Sequence, residues 1–459
     1  MKTILSNYWE TVRTSFWFIP SMMLVIALLM SFNLIGLDRF LDFDSFEYYG
    51  IAYSVSPDGA RTILSVIAGS VLSVAGVTFS ITIVVLNLAS SQFGPRLIRN
   101  FMKDQTTQAV LGVFVASFLY CLLVLRAVQT TGSEQFVPNL SIIFAILLAV
   151  LDSCVLVFFI HHVATAIQAD KVISETSKEL QYAIKHKFPD ELQMNNNGRK
   201  REEVEKPEID ELYHYTHRIA AQKSGYVQVI DYHRLIQTAE DNDYQIRLQF
   251  RPGQFVATGS HLVIVISENI FDVSLADGIA NALVIGDQRT PEEDVEYSIH
   301  QLVEVAVRAL SPGINDPYTA IACIDQLSAA MCCLATRRFP SAYRRDSQDV
   351  IRVITTPTSF TGMLNASFDQ IRQYGQTTVS VVIRLLEALT TIAGQSRTVN
   401  QRKAIHRQAD MVLRSSEKSG FDDNDGQDVR ERYLSLLAVL NEFDDMGETY
   451  ASIIENSSS

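Results

Sequence analysis

The 459-residue sequence contains no CxxC pair, no HExxH, no GxxxxGK or GxGxxG phosphate loop and no GxSxG elbow. The metal, nucleotide and nucleophile chemistries that depend on those spacings have no signature here. Five cysteines (Cys121, Cys154, Cys323, Cys332 and Cys333) lie without neighbouring histidine ligands and suggest neither a zinc site nor a disulfide framework, which fits a reducing compartment. No cofactor and no metal are expected. Positive charge is also short: 38 Lys and Arg stand against 51 Asp and Glu, a net charge of −13, so the phosphates of a nucleic acid would be repelled. The imbalance is uneven. Residues 1–160 hold eight basic and nine acidic residues, so nearly all of the negative charge lies beyond Ile160, in a part expected to be soluble.

Charge of either sign is missing altogether between Arg61 and Arg96. The apolar and small residues from Ile63 to Ala89 are long enough to cross a hydrocarbon core of about 30 Å at about 1.5 Å per residue. Within that stretch Gly69, Ser73, Gly76, Ser80, Asn87 and Ser91 recur at intervals of four, three, four, seven and four, which places them on one seam of a helix. Lipid tails are as apolar as Leu, so a small, hydroxyl-bearing seam suits either tight packing inside a bundle or the lining of a pore.

Three further apolar segments surround it: Phe16 to Leu37, Thr107 to Leu125 with a small-xxx-small pair at Gly112 and Ala116, and Leu140 to Ile160. Basic residues concentrate before the first span and between the second and third, at Arg96, Arg99 and Lys103. The positive-inside rule then puts both termini in the cytoplasm. Those three residues read as headgroup anchors or, in a symmetric assembly, as a basic ring at a cytosolic mouth. Asp152 falls close to mid-membrane in the fourth span, where a carboxylate costs roughly 2.5–3.5 kcal/mol on insertion scales. It is either an ion or proton site or a structural carboxyl capped by hydroxyls such as Ser73, Thr78 or Ser80. The periodic pattern continues to Lys187, so the fourth helix is expected to leave the membrane without a break, followed by a charged linker from Asn195 to Glu208.

Beyond Ser224 the period changes from helical to alternating. GYVQVID (225–231), YQIRLQF (244–250) and LVIVIS (262–267) read as strands around a short helix at 232–241, with a strand also at 349–355. Helices are expected at 274–285, 291–310, 317–336, 364–374, 377–393, 399–417 and 427–450. The most motif-like soluble stretch is RALSPGINDPYTA (308–320): Ser311-Pro312-Gly313 stops one helix, Asp316 can cap the next and Pro317 suits its first position. His300, Glu304 and Arg308 recur every four residues just before this corner, next to Asn315 and Asp316. Stacked ion pairs and a catalytic trio both remain open.

The second-span phrase SVAGVTFSITIVVLNLASSQFGPRLIRNF, with GYVQVID, PGQFVATG and RALSPGINDPYTA, resembles the bacterial predicted-membrane-protein family known only as domain of unknown function 2254. The resemblance implies a bacterial inner-membrane protein with an amino-terminal membrane bundle and a cytoplasmic carboxy-terminal region, and carries over no catalytic residues. The expected architecture is an α-helical membrane protein with four transmembrane helices and a cytosolic α+β region holding a small β-barrel-like module and a helical bundle. Its divisions fall at 1–162, 163–223, 224–273 and 274–459. The expected function is a homo-oligomeric ion channel or pore with a cytosolic assembly or gating domain, lying in a lipid bilayer and passing small ions. A membrane-anchored scaffold or sensor, and a membrane-tethered enzyme with a site near 300–316, are the alternatives.

Overall fold

The computed structural model describes residues 17–40, 56–97, 101–102, 104–129, 136–188, 215–291 and 293–457, the last sixteen by backbone alone. Arg99, Lys103 and the linker that ends before Tyr215 lie outside the described residues. The chain divides into two compact units, 1–171 and 172–459.

In the first unit the apolar segments become α1 (Phe18–Phe40), α2 (Pro57–Phe93), α3 (Gln105–Ala127) and α4 (Asn139–Ala166). Each end has a local cause. Ser56 accepts from the Gly59 amide with Pro57 at the first helical position of α2, and Asp104 caps α3 by accepting from the Thr106 and Thr107 amides. α3 packs against α1, α2 and α4. The Gly112 expectation has a direct counterpart, because a Cβ there would stand 3.2 Å from the Pro20 Cα and strike the Met23 sulfur; only glycine lets α1 and α3 approach this closely. The fourth helix does not run on unbroken as expected. Thr165 Oγ1 donates to the His162 and His161 carbonyls at 2.9 and 3.2 Å, taking acceptors from the helical ladder, and Ile167–Gln168 separate α4 from α5 (Ala169–Lys187).

The second unit begins within α5, whose buried Val172, Ile173, Thr176, Leu180 and Ile184 form one face. Two sheets follow. β1 (Tyr215–Ala220), β2 (Gly225–Ile230), β3 (Gln245–Leu248), β4 (Phe255–Val256), β5 (His261–Ser267), β6 (Leu283–Gly286), β7 (Tyr343–Arg345) and β8 (Ile351–Ile354) arrange as β1-β5-β3-β8-β7 and β4-β2-β6. β3 and β8 are parallel and the remaining neighbours antiparallel. α6 (Tyr232–Asp241) closes over their shared apolar core, which includes Val227, Leu235, Ile246, Val263 and Val353. The helix expected at 274–285 is instead the single turn α7 (Ala276–Ala280) followed by β6, because Leu283 and Ile285 bury beside β2 while Val284 points outward, a period-2 pattern too short to register in sequence.

The rest is helical: α8 (Val295–Ala309), α9 (Pro317–Ala335), α10 (Phe360–Gly375), α11 (Val379–Gln395), α12 (Val399–Glu417) and α13 (Asp423–Ser457). Thr398 and Gln401 close α12 with a reciprocal capping box. Five helices are long and apolar enough to cross a membrane, α1 to α4 and α9. α9 packs among α8, α10 and α11, and its Asp325 pairs with Arg384 of α11.

Gly253 holds the β3–β4 turn at φ 87°, and a Cβ at this position would land on the Asp294 carboxylate that caps α8. Gly253→Ala is expected to destabilise the second unit by about 1–3 kcal/mol through φ strain and displacement of that cap. Thermal unfolding followed by circular dichroism would register the loss.

Candidate functional site in the membrane helices

Two polar clusters mark the ends of the helical bundle. At one, Asp38 of α1 accepts from the Leu140 amide (2.8 Å), the Ser141 amide (3.0 Å) and the Ser141 hydroxyl (2.6 Å), so a neighbouring helix supplies the cap that α4 lacks in its own sequence. Tyr120 of α3 donates to the Ser141 carbonyl (3.0 Å), and Arg61 of α2 donates to the Val128 carbonyl (3.2 Å). At the other end the Asp104 carboxylate faces His162 Nε2 of α4 at 2.7 Å and accepts the Thr107 hydroxyl at 2.6 Å. Burial pushes the Asp104 carboxyl up, but the Thr107 and His162 bonds, the charge of His162 and the Thr106 amide together hold it below the usual carboxylate range.

Ser141 and His162 are 21 residues apart on one helix, a rise of about 31 Å, which matches a hydrocarbon core of about 30 Å. Asp152 lies eleven residues from one and ten from the other, at the middle. It is buried at 5% exposure; its Oδ1 accepts from Ser117 of α3 at 3.1 Å, and its Oδ2 is buried with no hydrogen-bond partner among the described residues. The hydroxyls anticipated as its caps lie elsewhere. Ser73 and Ser80 donate to the Gly69 and Gly76 carbonyls of their own helix, each at 2.9 Å, and the buried Thr78 hydroxyl has no partner of its own among the described residues. Ser117 was not singled out in the sequence because α3 carries no repeating polar pattern around it; only the fold shows that it faces Asp152. Fully buried Tyr120 and Cys121 lie on one side of this pair and Phe114 and Phe159 on the other, so apolar side chains close around the acid.

The seam of α2 points the other way. Ala60, Leu64, Ala68, Val71, Ala75, Thr78, Ala89 and Phe93 are the residues that α2 buries, whereas Gly69, Ser73, Gly76, Ser80 and Asn87 are all exposed. At about 100° per residue the two sets centre roughly 150° apart, on opposite sides of the helix. A Cβ at Gly69 or Gly76 would meet nothing within 4 Å. Among the described residues, then, the seam takes no part in packing within one protomer. Val128 and Asp104 bracket α3 over 24 residues, and the same rise from Arg61 along the antiparallel α2 reaches residue 85, so Asn87 lies level with the Asp104–His162 cluster. Arg96 is exposed on the short turn Pro95–Leu97 just beyond α2.

In the second unit the motif around residue 311 is occupied with helix ends. Asp316 caps α9, accepting from the Thr319 amide (3.1 Å) and hydroxyl (2.6 Å), with Pro317 at the first position. These bonds hold its carboxyl below the usual range, the Thr319 hydroxyl contributing most. Ser311 donates to the Arg308 carbonyl at 2.6 Å, and Asn315 takes the left-handed conformation, φ 49°, that closes the corner. Glu304 and Arg308 form an i,i+4 pair at 3.5 Å, and His300 Nδ1 faces Arg289 at 3.2 Å. Among the described residues no group of three His, Cys, Asp or Glu side chains is placed to hold a metal ion.

Comparison with known proteins agrees with the membrane architecture. The family described as Predicted membrane protein (DUF2254) matches residues 13–391. Uncharacterized protein Rv1290c of Mycobacterium tuberculosis and Uncharacterized protein Mb1321c of Mycobacterium bovis are each 28% identical over 383 residues, covering 82% of this chain and 71% of theirs. No solved structure matches. With a family match across most of its length, the chain belongs to the Predicted membrane protein (DUF2254) family.

Proposed function

We propose that copies of the chain assemble in the bacterial inner membrane around α2, and that the Gly69–Ser73–Gly76–Ser80–Asn87 seam lines a pathway for small ions along the shared axis. The carrying observation is the direction of the seam, exposed on the outside of a protomer whose interior is closed around Asp152. A pathway through one protomer would have to pass Phe114 and Tyr120, both fully buried; a pathway between protomers needs only the open strip. With the Ser73 and Ser80 hydrogens donated along their own helix, their oxygen lone pairs are left to water and ions.

In this reading α1 to α4 are the spans and α9 stays in the second unit, where Asp325 and Gln326 bind Arg384 and Ser177. Both termini are cytoplasmic, and Arg96, followed in sequence by Arg99 and Lys103, stands on the cytosolic side. Ion flux from liposomes containing the purified protein tests it: dye-reported flux above that of empty liposomes is the expected result, and none at any protein density overturns the conducting role.

A further inference from the structure

A cavity of about 160 Å³ opens in the second unit, where the end of α5, the start of α6 and the 355–358 segment meet. Its charged lining is mostly matched. Lys187 Nζ lies 3.3 Å from Glu293 Oε1, and the Ile230 amide donates to the other oxygen of Glu293. Arg251 pairs with Glu296 at 2.8 Å, and Asp294 is held by Arg289 at 2.6 Å. Arg344 is the exception. Its guanidinium lies over the Tyr232 ring, 5.0 Å from the ring centre, its Nε is buried without a hydrogen-bond partner, and no carboxylate among the described residues pairs with it. Among the described residues, this half-buried guanidinium leaves the cavity one positive charge in excess.

We propose that this cavity binds a small monocarboxylate, its carboxylate on the Arg344 fork and its short apolar body against Phe188, Val295 and Met363. The size agrees, since the space is many times the roughly 10–15 Å³ that a single water needs by the same measure. The charge agrees too: one carboxylate neutralises the one unmatched cation, whereas a phosphate dianion would exceed it beside Glu293 and Asp294, which line the same space. Tyr232 completes the donor set. Burial, and then the negative charge of Glu293, push its phenol above the ordinary value, so its O–H stays available to a carboxylate oxygen.

Calorimetric titration of the full-length protein in detergent with sodium n-butyrate, against sodium chloride at equal ionic strength, tests the proposal. Saturable one-site binding is expected for the native protein, about tenfold or more weaker in Arg344→Gln and about threefold to tenfold weaker in Tyr232→Phe, which keeps the ring beneath the guanidinium. Arg345→Gln, one residue along β7 and exposed, should bind as the native protein does. If Arg344→Gln fails to fold, the Tyr232→Phe affinity decides. Absent native binding, undiminished binding in both cavity variants, or a preference for inorganic phosphate or chloride over butyrate would overturn the assignment.

Discussion

Ser73→Leu and Ser80→Leu are each expected to abolish ion flux while leaving the protomer as stable as the native one. Both side chains are exposed and bond only to their own helix, so a leucine there displaces nothing within the protomer and unfolding should shift by no more than about 0.5 kcal/mol. At a shared axis, however, each substitution would be repeated once per subunit and replace a hydroxyl strip with a ring of isobutyl groups, a constriction that excludes water. Flux assays on reconstituted variants, run beside Leu147→Ala on the exposed face of α4, separate these effects; native currents in both leucine variants would refute the lining role.

Asp152→Leu is expected to do the reverse for stability, raising it by about 1–3 kcal/mol. The native carboxyl lies at the bundle centre with one oxygen on Ser117 and the other unmet, and replacing such a group with an apolar one of similar volume removes its desolvation cost. Ser117 loses little, because its hydroxyl can turn back to a carbonyl of α3 as Ser73 and Ser80 do on α2. Thermal unfolding in a fixed detergent, with Asp152→Asn as the isosteric comparison, measures this. A more stable Asp152→Leu marks a carboxyl retained for chemistry rather than architecture; a loss of more than about 1 kcal/mol would make it a structural bond to Ser117.

Much of this was legible in the residues. The four long apolar segments, the α6 interval and the Asp316–Pro317 start of α9 all appear where periodicity and cap chemistry place them, since each is set by neighbours in sequence. What stayed hidden depends on residues far apart in the chain. The α2 seam could be read as a stripe, but whether it faces inward or outward is decided by Ala68 and Val71 meeting other helices. The Ser117–Asp152 bond joins positions 35 residues apart, and the Asp38 cap of α4 joins positions about 100 apart. β6 was lost for another reason, a four-residue strand following one helical turn. The Arg344 cavity left no signature because its walls come from α5, α6, β7, α8, α10 and loops far apart in sequence.

The central claim is that protomers meet along the small-residue face of α2. Disulfide trapping tests it most directly, in a background with Cys154→Ser, Cys332→Ser and Cys333→Ser to silence the exposed and half-buried thiols. With Ser73→Cys or Ser80→Cys, mild oxidation of the protein in its native membrane should yield covalent dimers; Val150→Cys, on the exposed face of α4, should stay monomeric. Dimers through Val150→Cys with none through positions 73 and 80 would place the interface on the wrong helix and contradict the account.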